Sequence, residues 1–263
     1  MASGAWAATA GFRVEHFNTL ASTNDLALER ARAGDPGRLW IVADSQTGGR
    51  GRLGRVWASP PGNLHASLLL VDPAPQARAA ELGFVTGVAL AAAFEAVGVA
   101  HGAITLKWPN DALFNGAKIS GVLLEATTTP TGSLACVIGV GVNCGWRPEG
   151  LPYRATSLAA EGLAVSAAGM FDALAEALAG QLEVWAGGAG FPEIRSAWQA
   201  RAAGLGSRIE VALGDRKQTG VFRGIDGEGR LLLVEGAEEF TISAGDVLLA
   251  SRITPHASGD REI

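Results

Sequence analysis

At positions 39–55 the sequence reads Leu39-Trp40-Ile41-Val42-Ala43-Asp44-Ser45-Gln46-Thr47-Gly48-Gly49-Arg50-Gly51-Arg52-Leu53-Gly54-Arg55. The apolar beginning of this stretch predicts a buried strand, and the remainder predicts a glycine-rich loop that carries three arginines. Glycine leaves backbone N–H groups accessible, and the guanidinium group offers a fork of donors that matches phosphate. We call residues 46–57 the arginine loop, and we interpret it as a binding site for a polyphosphate.

The arginine loop has two other interpretations. Arginine is common on protein surfaces, so the stretch is also compatible with an ordinary solvated loop. Arginine–glycine segments that bind nucleic acid are usually repetitive and disordered, whereas this run is single and has apolar strands on both sides. It is not a Walker motif, because the chain contains no G-x-x-x-x-G-K-[ST] sequence.

The composition is that of a globular protein with a small anionic ligand. The 263 residues allow one large domain or a domain with a small module. Hydrophobic residues make up 48% and charged residues 18%, which is ample material for a core. The net charge is −5 and the isoelectric point is about 5.4. Because the basic residues are dense only in the arginine loop, the charge favours a small anion over a long polyanion such as nucleic acid.

Targeting and redox signals favour a cytoplasmic protein. The apolar segments are broken by glycine or charge before the roughly 20 residues that span a bilayer, and the N-terminus lacks the features of a signal peptide. Cys136 and Cys144 form neither a C-x-x-C motif nor a disulfide framework. We therefore expect buried packing roles for both thiols, a reducing cytoplasm and no membrane association.

Periodicity and turn signals divide the first 204 residues into helices and strands. Helices are predicted at 22–33, 77–97, 166–185 and 192–202, with Gly83 and Gly87 allowing close packing of the second. Strands are predicted at 39–43, 64–71 and 104–107. Two hairpins follow, over 112–126 with a turn at Asn115-Gly116, and over 118–142 with a turn at Pro130-Thr131-Gly132.

From about Leu205 the pattern changes to short strands. Five are predicted, at 208–213, 219–225, 230–235, 239–243 and 247–251, with turns rich in glycine and aspartate. The sequence therefore predicts an α+β fold. A mixed, mostly antiparallel central sheet with packed helices occupies 1–204, a small β-barrel occupies 205–252, and a tail follows at 253–263.

A second polar cluster is Lys107-Trp108-Pro109-Asn110-Asp111, with Lys118 further along. Pro109 fixes its own φ and restrains Trp108 to extended geometry, so Asn110 and Asp111 are held rigidly at a strand end. Asp111 could instead cap a turn, and a lone lysine at a strand start is often an edge residue. The Asn-Gly turn, however, brings Lys118 back beside Asp111, which favours a functional pair.

Gly139 and Gly141 alternate along one face of a predicted strand. The missing side chains would leave a trough in which a flat ring could lie against the backbone. A kink in the sheet is an equally good explanation of this pair.

Several motifs in order carry a family resemblance: Ser22-Thr23-Asn24, Gln46-Thr47-Gly48-Gly49-Arg50-Gly51-Arg52-x-Gly-Arg55-x-Trp57, Lys107-Trp108-Pro109-Asn110-Asp111, Lys118-Ile119-x-Gly121 and Gly139-x-Gly141-x-Asn143. Over about residues 12–252 the chain resembles the biotin–protein ligases. The resemblance implies a class II synthetase-like catalytic domain and an SH3-like C-terminal barrel. Leu53 is a departure, since some relatives carry an additional arginine there.

The resemblance also implies a reaction. Family members form biotinyl-5′-adenylate from biotin and ATP with Mg²⁺, then transfer biotin to a lysine of a biotin carboxyl carrier protein or domain. Because the biotin carboxylate is already ionised near neutral pH, activation needs neutralisation and alignment rather than a base.

By similarity, the biotin-binding residues are Ser22, Thr23, Asn24, Gln46, Gly49, Arg50, Gly51, Arg52, Trp57, Lys118, Gly139 and Gly141. Phosphates are assigned to Arg50, Arg52, Arg55 and Lys118, and the adenine edge to Asn143. The catalytic assignments are Lys118, Arg52 and Asp111. Asp111 is a candidate either for organising Mg²⁺ or for deprotonating the acceptor lysine, and the sequence leaves both roles open.

Some relatives carry an N-terminal DNA-binding domain and act as repressors. Only 21 residues precede Ser22, so we expect ligation without direct operator binding. The expected partners are the carrier protein, biotin and ATP, without nucleic acid or membrane, and the chain is expected to be a monomer or a homodimer. The rival hypotheses are a lipoate or octanoate ligase-transferase and a non-catalytic nucleic-acid-binding protein.

Overall fold

A computed structural model describes residues 11–249 of the chain. The tail predicted at 253–263 and the end of the strand predicted at 247–251 lie outside the described residues.

The first part of the chain forms a seven-stranded sheet in the order β1-β2-β3-β7-β6-β5-β4. The strands are β1 (Arg13–Leu20), β2 (Leu39–Gln46), β3 (Leu64–Val71), β4 (Ile104–Lys107), β5 (Asp111–Phe114), β6 (Ala117–Thr128) and β7 (Leu134–Val142). Only β1 and β2 run parallel, and every other neighbouring pair is antiparallel. The predicted α+β class with a mixed, mostly antiparallel central sheet is confirmed.

Within the described residues there are four α-helices: α1 (Thr23–Arg32), α2 (Leu82–Ala96), α3 (Ala167–Trp185) and α4 (Phe191–Gln199). The first three pack on this sheet, and α4 packs on α2, α3 and the second part of the chain. Ser22 caps α1, since its Oγ accepts a hydrogen bond from the Asp25 N–H at 3.3 Å. The helix predicted at 77–97 is wrong in its first turns, which form a 3-10 helix at Gln76–Glu81. Likewise, α4 ends at Gln199, before the predicted 202.

The side chains of β2 alternate between the two faces of the sheet, and each face contributes to its own apolar cluster. Leu39 and Ile41 pack with Ala27 and Leu28 of α1 in one cluster. Trp40 and Val42 point to the opposite face and join the cluster that contains α2 and α3. Successive side chains of a strand alternate between faces, so the sheet lies between α1 and the α2–α3 pair as the middle of three layers.

The 21-residue stretch Gln76–Ala96 is long and apolar enough to cross a membrane, by length and composition alone. Glu81, Gly83, Gly87 and Glu95 interrupt this stretch, as expected from the sequence, and it passes the test with these residues included. Within the protein, 67% of the most apolar 18 residues of this stretch are buried. The helix α2 packs between the sheet and α3. An all-round apolar helix of this kind is also what the centre of a soluble core requires.

The second part of the chain forms a five-stranded antiparallel sheet in the order β11-β10-β9-β8-β12. Its strands are β8 (Arg208–Leu213), β9 (Arg216–Ile225), β10 (Leu231–Glu235), β11 (Glu238–Ile242) and β12 (Asp246–Leu248). The five predicted strands thus occur in order, and we call them together the C-terminal sheet.

The C-terminal sheet is tied to the first part of the chain by specific hydrogen bonds, one to the residue after β4 and one to the end of α4. Trp108 Nε1 donates to the Gly229 carbonyl at 3.1 Å, and the Ile225 N–H donates to Gln199 Oε1 at 2.9 Å. Apolar residues of the C-terminal sheet belong to the same cluster as the face of the central sheet that packs on α2 and α3. This packing holds β12 against the arginine loop.

Candidate active site

A cavity of about 570 Å³ opens at the ends of β6 and β7. The arginine loop and residues 151–153 border it, and β12 of the C-terminal sheet closes a further side. The cavity brings together motifs that are far apart in the sequence, including Ser22-Thr23-Asn24, the arginine loop, Asp111, Lys118 and the glycines of β7. The predicted convergence of these motifs is therefore present in the structure.

One end of the cavity is a network of neutral polar groups at the beginning of α1. Gln46 Oε1 accepts hydrogen bonds from the Thr23 N–H at 2.8 Å and from Thr23 Oγ1 at 3.1 Å. Ser67 Oγ donates within the same network, and it lies 2.7 Å from Thr23 Oγ1 and 2.6 Å from Asn24 Oδ1. Such a network supplies both donors and acceptors to a ligand with mixed polarity.

Charged side chains border this polar end. Arg50 makes two hydrogen bonds of 2.6 Å to the Asp25 carboxylate, and a longer contact of 3.4 Å to Glu125. The hydrogen bond from Arg50 lowers the pKa of Asp25, and the same contact raises the pKa of Arg50. Glu125 also accepts from Asn24 Nδ2 at 2.7 Å, so Arg50 is linked to the polar network through one acid.

The glycines of β7 leave room for larger neighbours. A Cβ atom at Gly139 would lie 2.2 Å from Asn24 Oδ1, and one at Gly141 would lie 2.4 Å from Trp57 Cε2. The trough predicted at these glycines is thus filled by the Asn24 and Trp57 side chains. Trp57 Nε1 packs against Gly141 and is buried without a hydrogen-bond partner.

A cationic cluster forms the opposite end of the cavity. Lys118 Nζ lies 2.7 Å from Asp111 Oδ1, and Lys107 Nζ lies 3.1 Å from Asp111 Oδ2. The predicted proximity of Lys118 and Asp111 is confirmed, and its cause is the pairing of β5 with β6 through the Asn115-Gly116 turn. The cluster carries a net positive charge, as an anionic reactant requires.

Asp111 does not fit the metal-binding role in this arrangement. Each of its two carboxylate oxygens accepts from a lysine, at 2.7 and 3.1 Å, and the two ammonium groups repel a divalent cation from the same oxygens. Within residues 11–249, moreover, no group of three or more His, Cys, Asp or Glu side chains could hold a metal ion. No step is therefore assigned to a metal at Asp111.

The arginine loop closes onto the C-terminal sheet. Left-handed backbone at Leu53 and Gly54 turns the loop, and the Gly51 N–H donates to the Arg55 carbonyl at 2.7 Å. Arg52 Nη1 lies 3.3 Å from Asp246 Oδ1 and 3.3 Å from the Gly245 carbonyl. Arg55 also pairs with Asp246, and this hydrogen bond raises the pKa of Arg55.

Two predicted site residues lie outside the cavity lining. Asn143 is buried and donates from Nδ2 to the Thr156 carbonyl at 2.9 Å, so its predicted contact with adenine stays a prediction. Gly49 lies at the base of the arginine loop, where a Cβ atom would meet the Trp57 carbonyl at 2.5 Å. Both residues shape the segments that border the cavity.

Four residues at the site are not among those predicted from the sequence: Ser67, Glu125, Tyr153 and Asp246. Ser67 interrupts the apolar run of β3, which was a usable signal for a polar group in the core. Glu125 and Asp246 are ordinary acids in the sequence, and only the tertiary structure brings them to Arg50 and Arg52. Tyr153 lies on a loop without regular structure and belongs to none of the motifs.

The central sheet with its cavity and the small C-terminal sheet each match a known family of protein ligases. The Biotin/lipoate A/B protein ligase family matches residues 17–143, and the Biotin protein ligase C terminal domain matches residues 204–249. The chain belongs to the biotin protein ligase family.

Relatives and solved structures are similar over most of the chain. A biotin–[acetyl-CoA-carboxylase] ligase of Paracoccus denitrificans is 38% identical over 86% of this chain and 96% of the relative. The bifunctional ligase/repressor BirA of Bacillus subtilis is 33% identical over 85% of this chain and 70% of that protein. The Aquifex aeolicus biotin protein ligase in complex with biotin and ATP has a TM-score of 0.75 at 27% identity, with 90% of this chain and 97% of that chain covered.

Proposed function

We propose that the chain joins biotin to ATP to give biotinyl-5′-adenylate and pyrophosphate, and then transfers the biotinyl group to a lysine of acetyl-CoA carboxylase. The observation that carries this proposal is the arrangement of the cavity, with a neutral polar network at one end and Lys107, Lys118, Arg52 and Arg55 at the other. The ureido ring of biotin suits the first end, and the carboxylate and phosphates suit the second.

In the activation step the biotin carboxylate attacks the α-phosphorus of ATP, and pyrophosphate leaves with the electron pair of the broken bond. The obstacle is repulsion between two anions, since the carboxylate is already ionised. Lys118 projects into the cavity from the start of β6, where its ammonium neutralises the carboxylate and the α-phosphate together. Arg52 and Arg55 hold the phosphates once these displace Asp246 from the guanidinium groups.

The transfer step needs a neutral amine, because a free lysine is mostly charged at neutral pH. Asp111 is the acid nearest to Lys118, and it is released for the acceptor ammonium when Lys118 turns to the adenylate. The amine then attacks the acyl carbon, an amide forms, and AMP leaves. Until the acceptor lysine arrives, closure of the arginine loop excludes water from biotinyl-5′-adenylate, which is a mixed anhydride. We expect Mg²⁺ to arrive with the ATP phosphates rather than to reside on the protein.

The rival substrate is lipoate, and the polar network at Ser22, Thr23, Asn24 and Gln46 favours biotin over it. Lipoate has no ureido group, so it would leave these donors and acceptors without partners. The nucleic-acid hypothesis is disfavoured by the net charge of −5 and by the position of Arg50, Arg52 and Arg55 in the lining of a cavity rather than on an open basic face. Cytoplasmic location and the choice between monomer and homodimer stay predictions.

The test is incubation of the chain with biotin, Mg·ATP and a purified carrier domain, followed by mass spectrometry. The expected product is the carrier with one biotinyl group, formed only when ATP is present. A carrier whose acceptor lysine is replaced by arginine is the matched control. Labelling by lipoate but not by biotin, or steep salt-dependent binding of RNA without any labelling, would contradict the proposal.

A further inference from the structure

The Lys118 ammonium lies over two aromatic rings. Its Nζ is 5.5 Å from the centroid of the Trp57 ring and 5.8 Å from the centroid of the Tyr153 ring. Both distances fall within the ~6 Å over which a ring face attracts a cation. Trp57 belongs to the arginine loop, whereas Tyr153, the single tyrosine of the chain, belongs to none of the sequence motifs.

Backbone hydrogen bonds place Tyr153 beside Lys118. The Lys118 N–H donates to the Arg154 carbonyl at 2.8 Å, and the Thr156 N–H donates to the Lys118 carbonyl at 2.9 Å. Residues 154–156 therefore run alongside the start of β6, with Ala155 in register with Lys118. Asn143 also holds this segment, because its Nδ2 donates a hydrogen bond to the Thr156 carbonyl. The position of Tyr153 next to Lys118 is thus set by the fold.

We infer that Tyr153 is a positioning residue for the activation step, and that its ring, together with that of Trp57, holds the Lys118 ammonium in place. This inference rests on the proposed function. An ammonium group has three N–H donors, and Asp111 accepts from one of them at 2.7 Å. A ring face attracts the charge through its quadrupole and supplies no lone-pair acceptor. The remaining donors of Lys118 therefore stay available for the carboxylate and the α-phosphate.

Lys118 is attracted by the aromatic ring of Tyr153 and not by a negatively charged phenolate. Burial raises the pKa of the Tyr153 hydroxyl, and the negative charge of Asp111 raises it further. The phenol is therefore neutral near neutral pH, and Lys118 does not form an ion pair with a phenolate. An aromatic ring without the hydroxyl should consequently serve as well.

The test compares side chains of similar size but different ring electrostatics at position 153. Tyr153→Phe keeps the ring face, Tyr153→Leu removes it, and pentafluorophenylalanine at this position reverses the quadrupole. We expect single-turnover formation of biotinyl-adenylate to stay within about twofold for Phe, and to slow about three- to tenfold for the other two. The loss should appear in the rate constant, with KM for biotin unchanged, because Tyr153 is not part of the polar network.

Controls separate positioning from folding. Trp146→Leu removes another exposed aromatic ring of the same loop, outside the cavity, and should leave the rate unchanged. In a Lys118→Met background, Tyr153→Leu should cause no further loss, because the two residues act as one unit. The pentafluorophenylalanine variant keeps the shape of phenylalanine, so it remains informative if Tyr153→Leu unfolds.

The outcomes distinguish this inference from the proposed function. Absence of biotinyl-adenylate with the unaltered chain contradicts the proposed function itself. An active chain whose pentafluorophenylalanine and Phe variants react equally fast overturns only the role of Tyr153. Equal losses from Tyr153→Leu with and without Lys118 would overturn it as well.

Discussion

The Asp246 carboxylate lies 3.3 Å from Arg52 Nη1 and also pairs with Arg55. One acid of the C-terminal sheet thus occupies both arginines that the proposed function assigns to phosphates. Asp246 must give up these contacts when an anionic nucleotide binds, because the two negative groups compete for the same donors. The C-terminal sheet is therefore coupled to the nucleotide end of the cavity.

Replacing Asp246 with asparagine should strengthen nucleotide binding. We expect KM for ATP to fall about two- to fivefold, which corresponds to the ~0.2–1 kcal/mol of a partly exposed ion pair. Pyrophosphate release at varied ATP concentration measures this. Asp215→Asn, at an exposed turn of the same sheet, is the matched control and should leave KM unchanged. A higher KM for Asp246→Asn would mean that the acid supports nucleotide binding instead of competing with it.

Replacing Lys118 with glutamine should strongly slow the formation of biotinyl-adenylate. The change removes the charge that meets both anions, and loss of one such group typically slows a reaction about 10²–10³-fold. The rate of biotinyl-adenylate formation in a single turnover is the measurement. Lys217→Gln removes an exposed lysine of the C-terminal sheet and serves as the control. If Lys118→Gln kept the native rate, Lys118 would have no part in charge stabilisation.

Local turn chemistry made much of the site predictable. The Asn115-Gly116 turn sets the register of β5 and β6, so the proximity of Asp111 and Lys118 follows from the sequence. The glycines of β7 indicated a place without side chains, and the structure puts Asn24 and Trp57 there. Both inferences depend on residues close in sequence or on steric room, which a sequence pattern records.

Contacts that depend on tertiary packing were not predictable. β1 is half exposed at the edge of the sheet and mixes polar with apolar residues, so it lacks the pattern of a buried strand. Asp246 meets Arg52 because the C-terminal sheet packs against the first part of the chain, with hydrogen bonds to Trp108 and Gln199. Tyr153 is placed by the backbone hydrogen bonds of an irregular loop with Lys118, and such pairing leaves no periodic pattern in the sequence.

The two cysteines should resist alkylation in the native protein. Both are buried, and burial raises the pKa of Cys136 to about 11 and that of Cys144 to about 12. The reactive thiolate is therefore scarce at pH 8, and we expect labelling by iodoacetamide only after unfolding in urea. Mass spectrometry of labelled and unlabelled protein measures this, and rapid labelling without denaturant would contradict it.

The raised pKa values of Cys136 and Cys144 also predict that the folded protein loses stability in alkaline solution. Because the folded pKa values lie above the ordinary value of 9.0, the neutral thiols contribute their stability fully below about pH 9. That contribution is lost as the pH rises through about 11 and 12. A variant with alanine at both positions should lack this part of the pH dependence of unfolding. Identical alkaline unfolding of the two proteins would show that the thiols contribute nothing.

Replacing Gly139 with alanine should weaken biotin binding. The added Cβ would lie 2.2 Å from Asn24 Oδ1, so Asn24 must leave its hydrogen bonds with Ser67 and Glu125. Overpacking of this kind costs about 1–3 kcal/mol, and we expect the Kd for biotin to rise about tenfold or more by calorimetry. Gly180→Ala in α3 meets no atom within 4 Å and should bind biotin normally while slightly stabilising the helix. A native Kd for Gly139→Ala would exclude the polar network around Asn24 from the biotin site.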